Sequence, residues 1–489
     1  MSGSLSNAGP VEWPPARPSP TRTDTVVLDP ELVARLLTEA RSTGAEFAEV
    51  FAERRSSTSI RLDDGRIEEV VSGSDRGAGI RVFHGETQAY AFTDRLDAEP
   101  LLEAARAAAS AVRSVGDAPA VVGVAPVPTE RYTPDVERPA DEVATGHKVA
   151  WLREADDAAR SIDASVRQVM AGYADGRQQV LVANSDGRWA EEVRTRIRLA
   201  VQVVAMRDGR AQVGFDGPGR FAGAEMLDRY PPGRTAANAA RAAVAMLNGR
   251  PAPAGETAVV IAPGGGGILL HEACGHGLEV DHIHKDASIY QARLGEVLGS
   301  PLLTAVDDGT VLGAWGYEAV DDEGSPTQRT VLFEQGRLAG YLYDLRGARR
   351  DGVRSTGNGR RQGHSHLPIP RMTNTYILAG DSSAADVIAG TKRGLYAKSL
   401  GGGQVNPATG DFVFGVSEGY LIENGEIGHA VSGANLIGNG IGILTAIDAV
   451  ADDFDTKDGI CGKEGQMVPV SNGSPTLRIA RMTVGGTDA

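Results

Sequence analysis

Residues 269–279 read LLHEACGHGLE and place two histidines and a glutamate directly after an apolar run. His271 and His276 are natural zinc ligands, and Glu272 stands where a carboxylate can act on water at such a metal. The usual zinc signature, H-E-x-x-H, spaces its histidines four residues apart on one helix face. Five residues on an ideal α-helix turn the second ring away from the first by about 140°. A π-type turn realigns residues five apart, and glycine tolerates irregular backbone, so we predict a bulged or broken helical turn at Gly275.

The third metal ligand must come from elsewhere, because a catalytic zinc usually has three protein ligands and one position open for water. Thiolate is a strong zinc ligand, and the chain contains two cysteines, Cys274 and Cys461. A cysteine inside the helical turn is more typical of a small buried side chain. His282 and His284 are close in sequence but fit a polar loop. The residues alone leave the third ligand open, with Cys461 slightly favoured over Cys274.

Two acidic residues follow the second histidine, Glu279 and Asp281. Carboxylates commonly accept the second ring N–H of a metal-bound histidine and so fix its orientation. A solvated helix end explains the same residues equally well. Both interpretations stay open at this stage.

Composition bounds the class of protein. A chain of 489 residues predicts two or three domains, and 41% hydrophobic with 23% charged residues is ordinary for a globular protein. A net charge of −15 argues against a nucleic-acid partner. Two cysteines suit a reducing cytoplasm. No apolar run is long enough for a transmembrane helix, and the N-terminus lacks the apolar core of a secretory signal, so we expect no membrane association.

The order of predicted elements indicates an α+β fold. Residues 1–25 are rich in Ser, Pro and Gly and predict a disordered tail. Helix and strand patterns then alternate over 26–250, which predicts an N-terminal α/β domain with an internal boundary near 115–136. Short strands separated by Gly, Asp and Asn dominate 251–489. This part is expected to be a mainly β C-terminal domain that carries the HExxxH helix.

Local signals define several elements of the N-terminal half. Asp29-Pro30 is typical of a helix start, with Asp as the N-cap and Pro in the first turn. Asp64-Gly65 predicts a hairpin turn. The pairs Asp175-Gly176 and Asp186-Gly187 predict turns that separate three strands, at 166–173, 178–184 and 190–206.

Four glycines at 264–267 separate a predicted strand at 257–261 from the His-Glu helix. A glycine-rich loop before a helix is typical of phosphate binding, but the G-x-x-x-x-G-K-[ST] pattern is missing here. We therefore expect these glycines to allow close packing beside the helix.

Seven ordered motifs link the chain to a known family, and they are densest in its second half. They are HEACGHGLE at 271–279, DDEGSPTQRT at 321–330, STGNGRR at 355–361, PRMTNTYIL at 370–378, GGGQVNPATGDFVF at 401–414, GANLIGNG at 433–440 and CGKEGQ at 461–466. From about residue 26 to its C-terminus the sequence resembles the TldD/PmbA (modulator of DNA gyrase) family. The H-E-x-x-x-H pattern, which the related partner subunit of that family lacks, indicates the catalytic metalloprotease type.

The resemblance implies a set of site residues and a fold. Zinc would be held by His271, His276 and Cys461, with Glu272 as the catalytic base, and Cys274 would serve only in packing. The active site would lie in a mainly β C-terminal domain that follows an N-terminal α/β domain.

The resemblance also implies an activity. Similar proteins are cytoplasmic zinc peptidases that cut short or unfolded peptides, commonly in a heterodimer with the related inactive TldE/PmbA-type subunit. A homodimer is the alternative assembly.

Two other functions stay open: a regulatory or binding protein with a structural metal, and a zinc hydrolase of non-peptide amides. A structural zinc site would have four protein ligands and no task for Glu272, so catalysis is favoured. Three departures from the family, namely the Pro-rich tail, the glycine run and the pair His282 and His284, bear on loop shape and substrate preference.

Overall fold

A computed structural model of the chain describes residues 27–112 and 136–486. The tail expected at 1–25 and nearly all of the boundary expected near 115–136 lie outside the described residues. The described part combines helices with many strands, as the α+β prediction requires. None of its helices has both the length and the apolar character needed to span a bilayer. The domain limits at 26 and 250 stay a prediction.

The first half of the described chain builds one antiparallel sheet with helices packed on it. Its strands run in the order β3-β2-β1-β4-β5-β6, and β7 pairs with β5. The elements are α1 (Pro30–Ala40), β1 (Phe47–Asp63), β2 (Arg66–His84), β3 (Thr87–Thr93), α2 (Ala98–Ala111), α3 (Thr145–Arg160), β4 (Val166–Asn184), β5 (Trp189–Arg207), β6 (Arg210–Asp216), β7 (Gly219–Arg220), α4 (Met226–Arg229) and α5 (Pro232–Leu247).

The alternation of side chains along β1 explains how this sheet is covered. Val50 packs in an apolar cluster with α1 and α2, and Leu62 packs in a second cluster with α3 and α5. Both residues are even-numbered, so the helices lie on one face of the sheet. On the opposite face, Glu49 forms a buried ion pair with Arg361 from the second half of the chain. This buried ion pair therefore connects the sheet to the C-terminal half of the chain.

The second half consists mainly of strands, with short helices between them. Its elements are β8 (Arg250–Pro251), β9 (Gly255–Ile261), α6 (Gly265–Leu270), α7 (Val280–His284), β10 (Ala305–Asp308), β11 (Arg329–Glu334), β12 (Arg337–Leu338), α8 (Leu345–Asp351), β13 (Gly359–Arg360), β14 (Ile369–Pro370), β15 (Asn374–Ile377), α9 (Ala384–Ala389), β16 (Arg393–Val405), β17 (Asp411–Glu423), β18 (Glu426–Ser432), β19 (Asn435–Asn439), α10 (Gly440–Ala446), β20 (Ile447–Val450), β21 (Asp455–Lys463), β22 (Gln466–Ser474) and β23 (Leu477–Gly485).

Two large sheets contain most of these strands, and β13 pairs with β14 in a separate two-stranded sheet. Pairing runs β16-β9-β23-β19-β17 and returns from β17 to β16, so five strands close into a ring around an apolar core. The other sheet has the order β12-β11-β10-β15-β22-β21 and carries Cys461 on β21. Helix α6 follows directly after barrel strand β9 and also packs on β22. This helix therefore joins the barrel to the sheet that holds the cysteine.

The turn predicted at Asp175-Gly176 is wrong, because β4 continues through both residues. The Asp175 side chain is buried and accepts a hydrogen bond of 2.6 Å from Nζ of Lys148 on α3. This ion pair offsets the cost of burying the carboxylate, so an Asp-Gly pair can occur inside a strand. The turns predicted at Asp64-Gly65 and Asp186-Gly187 are present, and α1 starts at Pro30 with Asp29 as its cap.

Candidate metal centre

The glycines before the histidines bring their helix against the neighbouring sheet. Gly264 has a φ of +82°, a conformation that favours glycine, and it turns the chain from β9 into α6. At Gly267 an added Cβ would lie 2.6 Å from the carbonyl carbon of Asn472 and from the carbonyl oxygen of Gly473, both on β22. The close packing predicted for these glycines is confirmed. Helix α6 therefore touches the backbone of the strand adjacent to β21.

The helix then widens, as the histidine spacing predicted. Residues His271–Gly275 form a π-helical turn, and His276–Leu278 continue as a 3₁₀ turn. The two imidazole centroids lie 5.0 Å apart. The predicted reason for Gly275 was incomplete, since its φ of −54° is open to any residue. A Cβ there would lie 2.9 Å from Cε of Met372, so the turn packs closely against that side chain at Gly275.

Cys461 completes a compact group with the two histidines. Its Sγ lies 3.3 Å from Nε2 of His271 and 3.5 Å from Nε2 of His276. All three side chains are buried, and their ligand atoms lie within 4.8 Å of one another. Tetrahedral zinc with ordinary Zn–N and Zn–S bonds separates nitrogen from sulfur by about 3.5 Å. The donor set therefore has both the chemistry and the spacing that zinc requires.

Mutual charge stabilises the ligating form of the cysteine. Burial alone would raise the pKa of Cys461, but the charge and hydrogen bonds of His271 and His276 outweigh it and lower the pKa to about 4. The thiolate is the form that binds metals. By contrast, burial raises the pKa of Cys274 to about 12, against a weaker opposing hydrogen bond from Tyr290. Cys274 lies in the apolar core and outside the group of three, as expected for a packing residue.

Glu279 orients one of the two rings. Nδ1 of His276 lies 3.0 Å from Oε2 of Glu279, so the ring donates its N–H there and turns Nε2 toward the sulfur. Burial would raise the pKa of Glu279, but the positive charges of Lys463 and His276 hold it well below its usual range. Asp281 does not contact either ring and instead accepts from Nζ of Lys463 at 2.7 Å. Of the two acidic candidates, Glu279 is the one in contact with a ring.

Glu272 borders the group and also reaches solvent. Its Oε2 lies 3.9 Å from Nε2 of His276, and its side chain is 31% exposed. His282 lies in helix α7 beside Glu279 and Asp281, apart from the group of three. His284 pairs with Asp351, at 2.8 Å between Nε2 and Oδ1. Neither of these two histidines joins His271 and His276.

Two residues that we did not single out in the sequence support the cysteine strand. Arg371 is fully buried and donates to the backbone carbonyl of Cys461 at 2.6 Å. Lys463 donates to Glu279 at 3.0 Å. The alternation of a strand offered a signal for Lys463, because residues 461 and 463 share a face. Nothing local pointed to Arg371, which lies 90 residues away from the cysteine.

Sequence comparison relates the chain to a family of metallopeptidases. Three segments match domains of one family: domain 1 of the PmbA/TldA metallopeptidases at 48–112, the central domain at 138–247 and the C-terminal domain at 254–486. The chain belongs to the PmbA/TldD metallopeptidase family.

Individual relatives cover nearly the whole chain. The metalloprotease TldD homolog of Haemophilus influenzae is 40% identical over 453 residues, which are 91% of this chain and 93% of that protein. A metalloprotease of Methanocaldococcus jannaschii is 32% identical over 88% of this chain and 96% of its own length.

Solved structures share the fold at lower identity. A candidate modulator of DNA gyrase from Thermotoga maritima superposes with a TM-score of 0.76 at 22% identity, covering 93% of this chain and 99% of that one. TldE from Thermococcus kodakarensis superposes with a TM-score of 0.74 at 20% identity, covering 93% of this chain and 100% of that one. These similarities show that the overall fold recurs in both proteins.

Proposed function

We propose that this chain is a zinc-dependent peptidase that cleaves short or unfolded peptides. The observation that carries the proposal is the convergence of His271, His276 and Cys461 beside the partly exposed Glu272. Catalytic zinc sites typically have three protein ligands, whereas structural sites have four. Among the described residues this group has three members, which favours catalysis over a structural metal. The names of the metalloprotease relatives support the same reaction class.

The roles of the residues follow from their positions. When bound, zinc would polarise the scissile carbonyl and lower the pKa of a coordinated water molecule. Glu272 would accept the proton of the attacking water and pass it to the leaving amine. Its partly exposed side chain can reach a substrate, whereas the donor atoms of His271, His276 and Cys461 belong to buried side chains. Glu279 would hold His276 in the ligating tautomer.

The substrate and the assembly are proposed from the family and not from the geometry of the site. We propose short or unfolded peptides because the family resemblance favours them. We also propose that the chain works with a related TldE/PmbA-type subunit, in keeping with the fold it shares with a TldE. The scarcity of cysteine favours a cytoplasmic location.

The test is the variant Glu272→Gln, which keeps the size of the side chain and removes the base. We expect unchanged zinc content and folding, with cleavage of an unfolded peptide library reduced about 10²- to 10⁴-fold. The matched control is Glu296→Gln, whose 50% exposed carboxylate pairs with Arg293 and has no role in the proposed mechanism. Mass spectrometry of the peptides, with and without the partner subunit, measures the products.

Three results would contradict the proposal in different ways. Cleavage by Glu272→Gln at the wild-type rate would remove Glu272 from the mechanism. Intact peptides after incubation with the zinc-loaded wild type and its partner would argue against a peptidase. Loss of folding on zinc removal, without any cleavage by the loaded protein, would favour the structural metal.

A further inference from the structure

Lys463 links two parts of the proposed zinc centre. It lies on β21 two residues after Cys461, so both side chains leave the same face of the strand. The Lys463 side chain is 6% exposed. Its Nζ donates to Oε2 of Glu279 at 3.0 Å, to Oδ1 of Asp281 at 2.7 Å and to the carbonyl of Pro370 at 3.1 Å. An ammonium group has three N–H donors, and each of them has an acceptor here.

The contact with Glu279 leads directly to the metal ligands. Oε2 of Glu279 is shared, because it lies 3.0 Å from Nζ of Lys463 and 3.0 Å from Nδ1 of His276. Glu279 is fully buried, and its other oxygen has no hydrogen-bond partner among the described residues. A buried carboxylate must be paired, and the ammonium group of Lys463 is hydrogen-bonded to Glu279 beside the imidazole of His276. The position of this carboxylate against the ring thus depends on Lys463.

The group formed by Glu279, Asp281 and His282 has the ligand spacing of a second metal site. Nζ of Lys463 donates to the carboxylates of both Glu279 and Asp281. The ammonium therefore already supplies the positive charge that these two carboxylates require. The pairing with Lys463 therefore accounts for the group of Glu279, Asp281 and His282 without a second metal ion.

We infer that Lys463 is a positioning residue, which holds Glu279 against His276 and so couples the cysteine strand to the histidine turn. The inference rests on the proposed zinc function. Cys461 and His276 come from segments 185 residues apart, so a contact between those segments must set their relative position. Ligand geometry tolerates errors of only about 0.5 Å, and loss of an outer partner of a metal-bound histidine typically costs 10- to 100-fold in affinity.

The experiment measures the zinc affinity of the purified full-length protein by competition with a chromogenic chelator. We expect Lys463→Met to bind zinc about 10- to 100-fold more weakly than the wild type. The matched control is Lys457→Met, on the same face of the same strand. Lys457 is 46% exposed, and its Nζ lies 3.7 Å from a carboxylate oxygen of Asp455. Its removal should leave zinc affinity unchanged.

Two further variants separate positioning from general destabilisation. Lys463→Arg keeps the charge, but a planar guanidinium does not reproduce three donors on one atom, so we expect a folded protein with an intermediate loss of affinity. If Lys463 works through Glu279, the double variant Lys463→Met with Glu279→Gln should lose no more affinity than Glu279→Gln alone. Thermal unfolding of the zinc-free proteins, measured in parallel, reports folding separately from metal binding.

Each outcome decides a different point. Equal zinc affinity of the wild type and both Lys463 variants would overturn the inference and leave the zinc centre intact. Additive losses in the double variant would also overturn it, since Lys463 would then act independently of Glu279. Absence of zinc binding by the wild type would refute the proposed function itself.

Discussion

Gly267→Ala tests whether the approach of α6 to β22 sets the geometry of the metal centre. A methyl group at this position would lie 2.6 Å from backbone atoms of Asn472 and Gly473. Carbon atoms in ordinary contact are about 3.5 to 4.0 Å apart, so the helix must move by about 1 Å. These backbone atoms cannot rotate away from the methyl group as the end of a flexible side chain can. The displacement should therefore be passed to the π-turn that begins at His271, directly after α6.

The expected losses follow from that displacement. Overpacking typically costs about 1 to 3 kcal/mol of the free energy of unfolding, partly offset by about 1 kcal/mol from the better helix propensity of alanine. A misplacement of about 1 Å at reacting groups can lower the rate about 10²-fold. We thus expect a modest fall in stability, weaker zinc binding and a much larger fall in peptide cleavage.

Urea unfolding, chelator competition and peptide cleavage measure these three quantities on the same preparation. The matched control is Gly146→Ala, an exposed helical position where an added Cβ meets no atom within 4 Å. It should leave all three quantities unchanged or slightly raise stability. Wild-type zinc affinity and cleavage in Gly267→Ala would refute the reasoning, because they would show that the helix absorbs the methyl group without moving the ligands.

Two further predictions concern the ligand set and acid stability. Cys461→Ala should lose more zinc affinity in chelator competition than the 10- to 100-fold that is typical when a residue behind a metal ligand is removed. Tight stoichiometric binding would show that another residue is the third ligand. Glu53 should make the free energy of unfolding depend on pH in the acid range. Burial would raise the pKa of Glu53, but hydrogen bonds from His364 and the charge of Arg55 lower this pKa from an ordinary 4.5 to about 2. A pKa lowered by folding stabilises above the unfolded value, so this contribution should be lost as the pH falls from about 4.5 to about 2. The difference in urea midpoint between the wild type and Glu53→Gln should therefore become smaller as the pH falls through that range. A difference that stays constant would contradict the predicted role of Glu53.

Features that depend on neighbouring residues could be predicted from the sequence. Asp29 accepts from the backbone N–H of Glu31 at 2.9 Å, as its place before Pro30 indicated. The five-residue spacing of His271 and His276 required a π-turn, because no regular α-helix brings such residues onto one face. Each of these inferences uses bonds that close within a few residues.

Features that depend on distant residues could not be predicted from local patterns. Asp175 stands within a strand because Lys148, 27 residues earlier, pairs with it. Gly275 packs closely against Met372, whose position follows from the sheets and not from the helix. The residues alone left Cys461 only slightly favoured as third ligand, since its place beside His271 depends on how β21 pairs within its sheet; the family resemblance supplied the choice.

Because His271 and Cys461 are far apart in the sequence, they are also synthesised at different times. Cys461 leaves the ribosome 190 residues after His271. At about 5 to 20 residues per second, a growing polypeptide carries both imidazoles for about 10 to 40 s before the sulfur is added. During that interval the nascent chain lacks the third member of the proposed ligand set, so the proposed hydrolytic activity cannot begin until almost the whole protein has been made.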